Sequence, residues 1–493
     1  MKSRVYDLLK YRSNKKENSK KIFFELKVFI DNISNDIVFN AINKEISNIF
    51  KISKDAIDFD TKKFLFLSFG LTKGKFSDKF RIIYIFKDLL NFLFFFIWTI
   101  IFSKKLKTIN DVKIIFDDID IANHFKFFKK LSKYFDKSLF LTKKKISQEK
   151  QYSFKHICFY NSNLSKKNFI KILNLIFILT IKSYENKINL FFLYKVLIFR
   201  IYKYDKIFSE NKSEFLITNK FYSTSAIKNY IFKSKGGLLT SCTQKNILEF
   251  TISHFIITDI LFSLGDNTAN YLQDMGCSIK YIVPVGSIVL ENQYLSDYSK
   301  NKLSKIKNID ILHIGINYAH SYDRSFFDDK HFKNYYRHIY WLKKISQIYP
   351  SLKIVVKHHD NYQGDKIENN ILKGTGIKII VNSDNIYGSY GYLDNAKLIT
   401  SFGSTMILES LSLKKNALFI DPKLQNINFF QSMDNPTEIR VNSFLNFKRS
   451  VEKHIFSKNK SQEINHELYC NNSEHTSEKI FNSLNKFRHK LSV

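Results

Sequence analysis

From about residue 110 onward, short apolar strands alternate with helical stretches, and this alternation limits the fold more than any other feature. VKIIFDDID (112–120), the helix-like ANHFKFFKKLSKYF (122–135) and KSLFLTKKK (137–145) open the pattern. KHICFYNSN (155–163), SEFLIT (213–218), GLLTSC (237–242), HFIITDILFS (254–263) and IKYIVPVGS (279–287) continue it. A second series runs through IDILHIGIN (309–317), SLKIVVKHHD (351–360), GIKIIVNS (376–383), AKLITSFGS (396–404) and NALFIDP (416–422). An amphipathic helix, FKNYYRHIYWLKKISQIYP, fills 332–350. Strands separated by helices imply parallel sheets with right-handed crossovers. Two such series, joined near 288–308, predict an α/β chain of two Rossmann-like domains facing a cleft.

The residues that punctuate a chain support this division. Of 14 glycines only Gly70 and Gly74 precede position 236, and all four prolines (Pro284, Pro350, Pro422, Pro436) lie in the second half. Glycine and proline mark turns, so 236–436 reads as turn-rich and compact. The first 110 residues read instead as long helices with basic connections. At 493 residues the chain exceeds one hydrophobic core. The expected organisation is a helical basic N-terminal region at 1–110, Rossmann-like domains at 111–290 and 300–455, and a tail at 456–493. A last helix is expected at 477–491.

The formal net charge is +33, which suits nucleic acid, anionic lipid or a polyanionic substrate. Much of it follows from a general excess of Lys, Asn, Ile, Phe and Tyr, residues with codons rich in A and T. No nucleic-acid-binding signature accompanies the charge, so no nucleic-acid partner is expected. Cys158, Cys242, Cys277 and Cys470 form no CxxC pair and read as free thiols of a reducing compartment. The N-terminus is too polar for a secretory signal, so the expected location is cytoplasmic.

FKDLLNFLFFFIWTIIFSKKLK (86–107) allows three readings. Its apolar stretch, Leu89 to Phe102, is 14 residues, short of the roughly 20 that span a bilayer. It could be a buried core helix, an in-plane or re-entrant anchor with basic flanks suited to anionic headgroups, or a true span. NFIKILNLIFILTIK (168–182) and NLFFLYKVLIFRIYKY (189–204) read as amphipathic helices that serve the core.

In open α/β sheets ligands bind beyond the carboxyl ends of the strands, and each polar cluster of interest lies at such an end. HIGIN supplies Gly315, VVKHHD supplies Lys357 and His358, and SFGSTMILES (401–410) supplies Gly403, Ser404, Thr405 and Glu409. SFGST is either an anion cradle of loop amides or a plain strand-to-helix turn with an N-cap serine. A lysine, a histidine and a helix start together make a phosphate site without a metal. Glu409 stands where a carboxylate could accept ribose hydroxyls. His358 and His359 also admit a metal reading, but no HExxH or DxD-type set surrounds them, and no metal or cofactor is expected. In the first series, Asp117, Asp118 and Asp120 end a strand, either as a general base or as caps of the next helix. Gly286 ends the last strand of that series, near a hinge.

The order DILFSLG (259–265), YLQDMG (271–276), VPVGS (283–287), KHH (357–359) and SFGST (401–405) with Glu409 resembles the GT-B glycosyltransferases of bacterial surface polysaccharide synthesis. That group includes the capsule Kdo transferases, the polysialyltransferases and the CDP-glycerol glycerophosphotransferases. The resemblance covers roughly 230–430. It implies that His358 contacts the nucleotide phosphate, that Ser404 and Thr405 bind the donor phosphate, and that Glu409 is the acid of the following helix. His359 stands where the group usually has proline. Gln244, followed by Lys245, is all that matches a Gln-His-Gly motif, and Asp117 and Asp118 correspond to an acidic motif.

The expected activity is therefore metal-independent transfer of a sugar or polyol phosphate from a nucleotide-activated donor to a surface polysaccharide or lipid-linked glycan. Asp118 and His358 would be catalytic. Lys357, His358, Gly315, Gly403, Ser404, Thr405 and Glu409 would hold the donor nucleotide, and Asp117, Gln244 and Gly286 would face the acceptor. The enzyme would work at the inner face of the plasma membrane, in peripheral contact with anionic lipid. A nucleotide-sugar 2-epimerase on the same scaffold and a membrane-associated scaffold without chemistry are the rival readings.

Overall fold

The chain folds around two parallel sheets. The computed structural model describes residues 28, 30, 36–70, 81–101, 112–119, 122–142, 155–158, 169–246, 254–267, 272, 275–293, 308–315, 329–358, 364–381, 388–422, 439–457 and 465–491. The elements before the first sheet include α1 (Ile37–Phe50), α2 (Lys54–Gly70) and α3 (Ile85–Ile101). Asp36 caps α1 by accepting from the amides of Val38 (2.9 Å) and Phe39 (3.3 Å). The first sheet follows, with β1 (Ile114–Ile119), α4 (Ala122–Ser132), β2 (Ser138–Thr142), β3 (Lys155–Cys158), α5 (Phe169–Asn186) and α6 (Phe191–Glu210). It continues through β4 (Phe215–Thr218), α7 (Ala226–Ser234), β5 (Leu239–Thr243), β6 (Ile257–Ser263), β7 (Ser278–Pro284) and α8 (Ile288–Gln293).

The second sheet holds β8 (Ile309–Ile314), α9 (Asp329–Ile348), β9 (Ile354–Lys357), α10 (Lys366–Leu372) and β10 (Lys378–Ile380). It is completed by β11 (Ala396–Ser401), α11 (Met406–Ser412), β12 (Ala417–Ile420), β13 (Arg440–Val441) and α12 (Phe444–Val451). Two further helices, α13 (His466–Tyr469) and α14 (Thr476–Leu491), end the chain.

Strand order is β3-β2-β1-β4-β5-β6-β7 in the first sheet and β10-β9-β8-β11-β12-β13 in the second, with every pairing parallel. Each order reverses once, between β1 and β4 and between β8 and β11, which is the switch point where doubly wound sheets take their ligands. The two sheets are Rossmann-like, as the alternation predicts, and their pairing in one chain is the GT-B-like architecture that the resemblance implies.

Helices α1–α3 do not stand apart from the first sheet. Phe39, Ile46, Phe66 and Phe92 share one apolar core with Ile115, Leu139 and Leu216 of its strands and with α5 and α6. A second core runs from Phe116 and Ile260 to Leu312 and Phe419 of the second sheet, and includes Tyr469, Ile480 and Leu484. The last helix thus packs back onto the first domain. Phe487 stacks on Tyr281 (4.2 Å), and Phe481 on Tyr134 (5.2 Å). Among the described residues no helix is long and apolar enough to cross a membrane.

Candidate functional site

At the second switch point, register decides which clusters meet. Ile314 pairs with Lys357 on one side and Ser401 on the other, so β8, β9 and β11 end in one row. With strands about 4.8 Å apart, Gly315, His358 and the 402–405 turn leave the sheet within about 10 Å of each other. His358 and Ser404 are therefore on one edge, with β8 between them.

Ser401 Oγ donates to the Ile314 carbonyl (2.8 Å) and accepts from the Gly403 amide (3.3 Å), which sets the turn. Ser404 Oγ accepts from the Met406 amide (3.3 Å) at the start of α11, one residue before its N-cap, Thr405. Gly403, Ser404 and Thr405 are all half-buried and reach solvent.

His358 differs from expectation. Its ring is wholly buried, with Nε2 2.8 Å from Glu368 Oε1, and Glu368 Oε2 accepts from Tyr335 (2.8 Å). The Nδ1 edge lies over Gly315, where an added Cβ would stand 2.3 Å from it. Gly315 is thus a close-approach glycine, but toward this imidazole. Lys357 is buried too, its ammonium donating to the carbonyls of His358 (2.5 Å) and Val381 (2.9 Å). In this conformation His358 and Lys357 brace the loop and present no charge to solvent. His359, Asp360 and Asp120 lie outside the described residues.

Glu409 is not open to a ribose here. Its Oε1 accepts from Ser287 (2.5 Å) at the start of α8 in the first domain, and its Oε2 from Tyr390 (2.8 Å). Burial raises its pKa, and these two hydrogen bonds only partly offset that. The residue links the two domains across the cleft. Beneath the edge, His313 lies 3.0 Å from His338 and from Thr400. Burial keeps both histidines neutral, His338 pushed down to about 3.

The first switch point is built differently. Asp117 is buried against Lys228 (2.7 Å) and accepts from Tyr204 (3.0 Å), so it caps no helix. Burial alone would raise its pKa, but Lys228 and Lys203 outweigh that and hold it below the usual carboxylate range. Asp118 has φ +64°, and the β1–β2 register shifts between Phe116 and Ile119. Asp tolerates the left-handed region better than most residues, and bulges of this kind re-aim side chains next to sites. Gln244 holds the next strand end, accepting from the Leu264 amide (3.0 Å).

Gly286, with φ +90°, is covered by the tail. An added Cβ would meet the Asn471 carbonyl at 2.7 Å and Ser473 Oγ at 2.8 Å. Gly265 is closed the same way by the carbonyl of Leu468 (2.6 Å). The strap continues where Asn471 donates to Leu264 (2.8 Å), Thr476 Oγ1 to Val285 (3.0 Å) and the Ser477 amide to Glu291 (2.9 Å). Sequence reasoning did not identify this strap, nor the partners Lys228, Tyr204, Glu368, Tyr390 and Ser287. Only the last helix expected at 477–491 pointed toward it.

Among the described residues, no three His, Cys, Asp or Glu side chains cluster as a metal site. No protein-family profile and no curated protein matches the sequence. Solved structures do. The UDP-GlcNAc 2-epimerase from Neisseria meningitidis bound to UDP-GlcNAc is similar at TM-score 0.48 and 11% identity, over 76% of this chain and 100% of that one. The UDP-N-acetylglucosamine 2-epimerase from Rickettsia bellii matches at 0.47 and 11%, over 77% and 97%. The wall teichoic acid polymerase TagF matches at 0.37 and 9%, over 83% and 98%. At such values none of them assigns a role to a residue here.

Proposed function

We propose that the chain is a GT-B-type transferase that moves a sugar or polyol phosphate from a nucleotide-activated donor onto a surface polysaccharide or lipid-linked glycan, at the inner face of the membrane. One observation carries the reading. Gly403, Ser404 and Thr405 reach solvent at the β8/β11 switch point, on the edge that Glu409 ties to the first domain. Loop amides and hydroxyls there would hold the donor diphosphate and neutralise it as it leaves.

The acceptor hydroxyl would come from the first domain. Asp118, turned out of the ladder at the bulge, would take its proton as the acceptor oxygen bonds to the anomeric carbon, or to phosphorus for a polyol phosphate. The nucleotide departs with the bonding electron pair. His358, through Glu368 and Tyr335, would position the donor loop. An epimerase would need no acceptor, and the exposed apolar helices α3 and α5 favour an enzyme whose acceptor is at a lipid surface.

Thermal unfolding with UDP, CDP, CMP and intact nucleotide sugars tests this. At least one should raise the melting temperature, and Ser404→Ala with Thr405→Ala should abolish the rise, measured against the variant's own unliganded value. An unshifted curve across the panel would leave a scaffold without chemistry as the better reading. Conversion of a nucleotide sugar to its epimer without acceptor would favour the epimerase.

A further inference from the structure

Helix α3 is half core and half surface. Phe92 stacks on Phe199 (5.6 Å), and Asp88 turns inward to Lys195 (2.5 Å) and Asn189 (2.7 Å). On the other side Ile83, just before the helix, and Phe86, Leu90, Phe94 and Ile97 are exposed, Phe86 and Phe94 by 69% and 67%. These positions are three, four, four and three apart, a single helical stripe. Helix α5 repeats the spacing with Ile170, Leu173, Phe177, Ile181 and Tyr184, all exposed, Phe177 by 66%. The two helices are neighbours, each joined to α6 in the first core. Two parallel-spaced apolar stripes on one domain exceed the scattered exposure of an ordinary surface.

The charge around the stripes selects the occupant. Arg81, Lys87 and Lys171 are exposed beside them. Among the described residues of the two helices, Asp88 is paired inside and Glu185 is bonded to Lys182 (2.8 Å). An apolar face rimmed by the exposed lysines Lys87 and Lys171, on a chain of net charge +33, complements an anionic bilayer surface better than a second copy of itself.

We infer that α3 and α5 together form an in-plane docking face for membranes rich in anionic phospholipid, with both stripes in the headgroup–acyl boundary. Neither helix, over its described residues, is long and apolar enough to cross the bilayer. The same face reaches the acceptor side through α6, whose Tyr204 bonds Asp117. Docking would therefore hold the first switch point at a fixed height above the lipid. This inference rests on the membrane-peripheral part of the reading above, and its own readout, vesicle binding, needs no nucleotide.

The full chain is floated with vesicles of phosphatidylcholine alone or mixed with phosphatidylglycerol. Binding is expected with the anionic vesicles and should weaken as salt rises. Phe94→Glu with Phe177→Glu should lower it about tenfold or more, and Lys87→Glu with Lys171→Glu should do so while leaving the stripes intact. Unchanged thermal unfolding shows that each variant is folded. Absent vesicle binding, or binding indifferent to both pairs, overturns the proposal. So does a concentration-dependent dimer that Phe94→Glu with Phe177→Glu dissociates without vesicle binding, which would make a second copy the occupant. Loss of vesicle binding beside an intact nucleotide shift separates this proposal from the transferase reading.

Discussion

The carboxyl edges of the two sheets have the same topology and opposite surfaces. At the first, Asp117 is neutralised by Lys228, Gln244 holds a neighbouring strand end, and the tail lies over Gly265 and Gly286. At the second, histidine and lysine are turned inward, and the 403–405 turn still reaches solvent. Rossmann topology thus supplies two equivalent positions, and side-chain partners decide which one faces a ligand. Glu409 and Ser287 join the edges, so a change at one is felt at the other.

The largest expected effect separates internal charge from ligand-facing charge at the first edge. Lys228→Met removes the ammonium 2.7 Å from Asp117 and leaves a buried carboxylate without its main partner. Breaking a buried pair in this way costs about 3–5 kcal/mol, read by chemical unfolding. A loss below about 1 kcal/mol would show that Asp117 is free to serve a ligand, and the contrast between the edges would weaken.

A smaller effect compares two glycines. Gly265→Ala forces a methyl within 2.6 Å of backbone in the strap, and Gly315→Ala places one 2.3 Å from the anchored His358 ring. Overpacking of this kind costs about 1–3 kcal/mol at each. The readouts should differ. Gly265→Ala should expose the C-terminal segment to protease and keep the nucleotide shift. Gly315→Ala should lose the nucleotide shift and keep the strap protected. Identical behaviour of the two variants would remove the distinction.

The fold was legible because each strand is a short apolar run with its own turn residues, and a parallel sheet follows from spacing alone. IDILHIGIN and AKLITSFGS marked the ends of β8 and β11, since strand ends are local, while their meeting at a switch point follows from the strand order. Partners were not local. Lys228 lies 111 residues from Asp117 and Ser287 lies 122 from Glu409, so nothing near Asp117 or Glu409 announces that its charge is already engaged. The short β13 also went unread, because two residues carry no period. The apolar run at 86–107 was ambiguous for a physical reason: α3 buries one face and exposes the other.

The smallest expected effect concerns pH, where the two edges should respond with opposite sign. Asp117 has a folded pKa below its ordinary value of 3.8, so its contribution is complete above that value and is lost as pH falls through the folded one. Glu409 has a folded pKa above its ordinary value of 4.5. Between the two values the folded state binds the extra proton, so its stability declines as pH rises from 4.5 toward the raised value. Glu409→Gln removes that titration, and an amide can still accept from one of the two hydroxyls. At neutral pH the variant should lie within about 1 kcal/mol of the parent. Its advantage over the parent should grow as pH climbs out of the acid range, measured by urea unfolding at intervals from about pH 4 to about pH 7. Parallel profiles would mean that the cross-domain carboxylate titrates as it does in the unfolded chain. Its bonds to Ser287 and Tyr390 would then offset the effect of burial in full rather than in part.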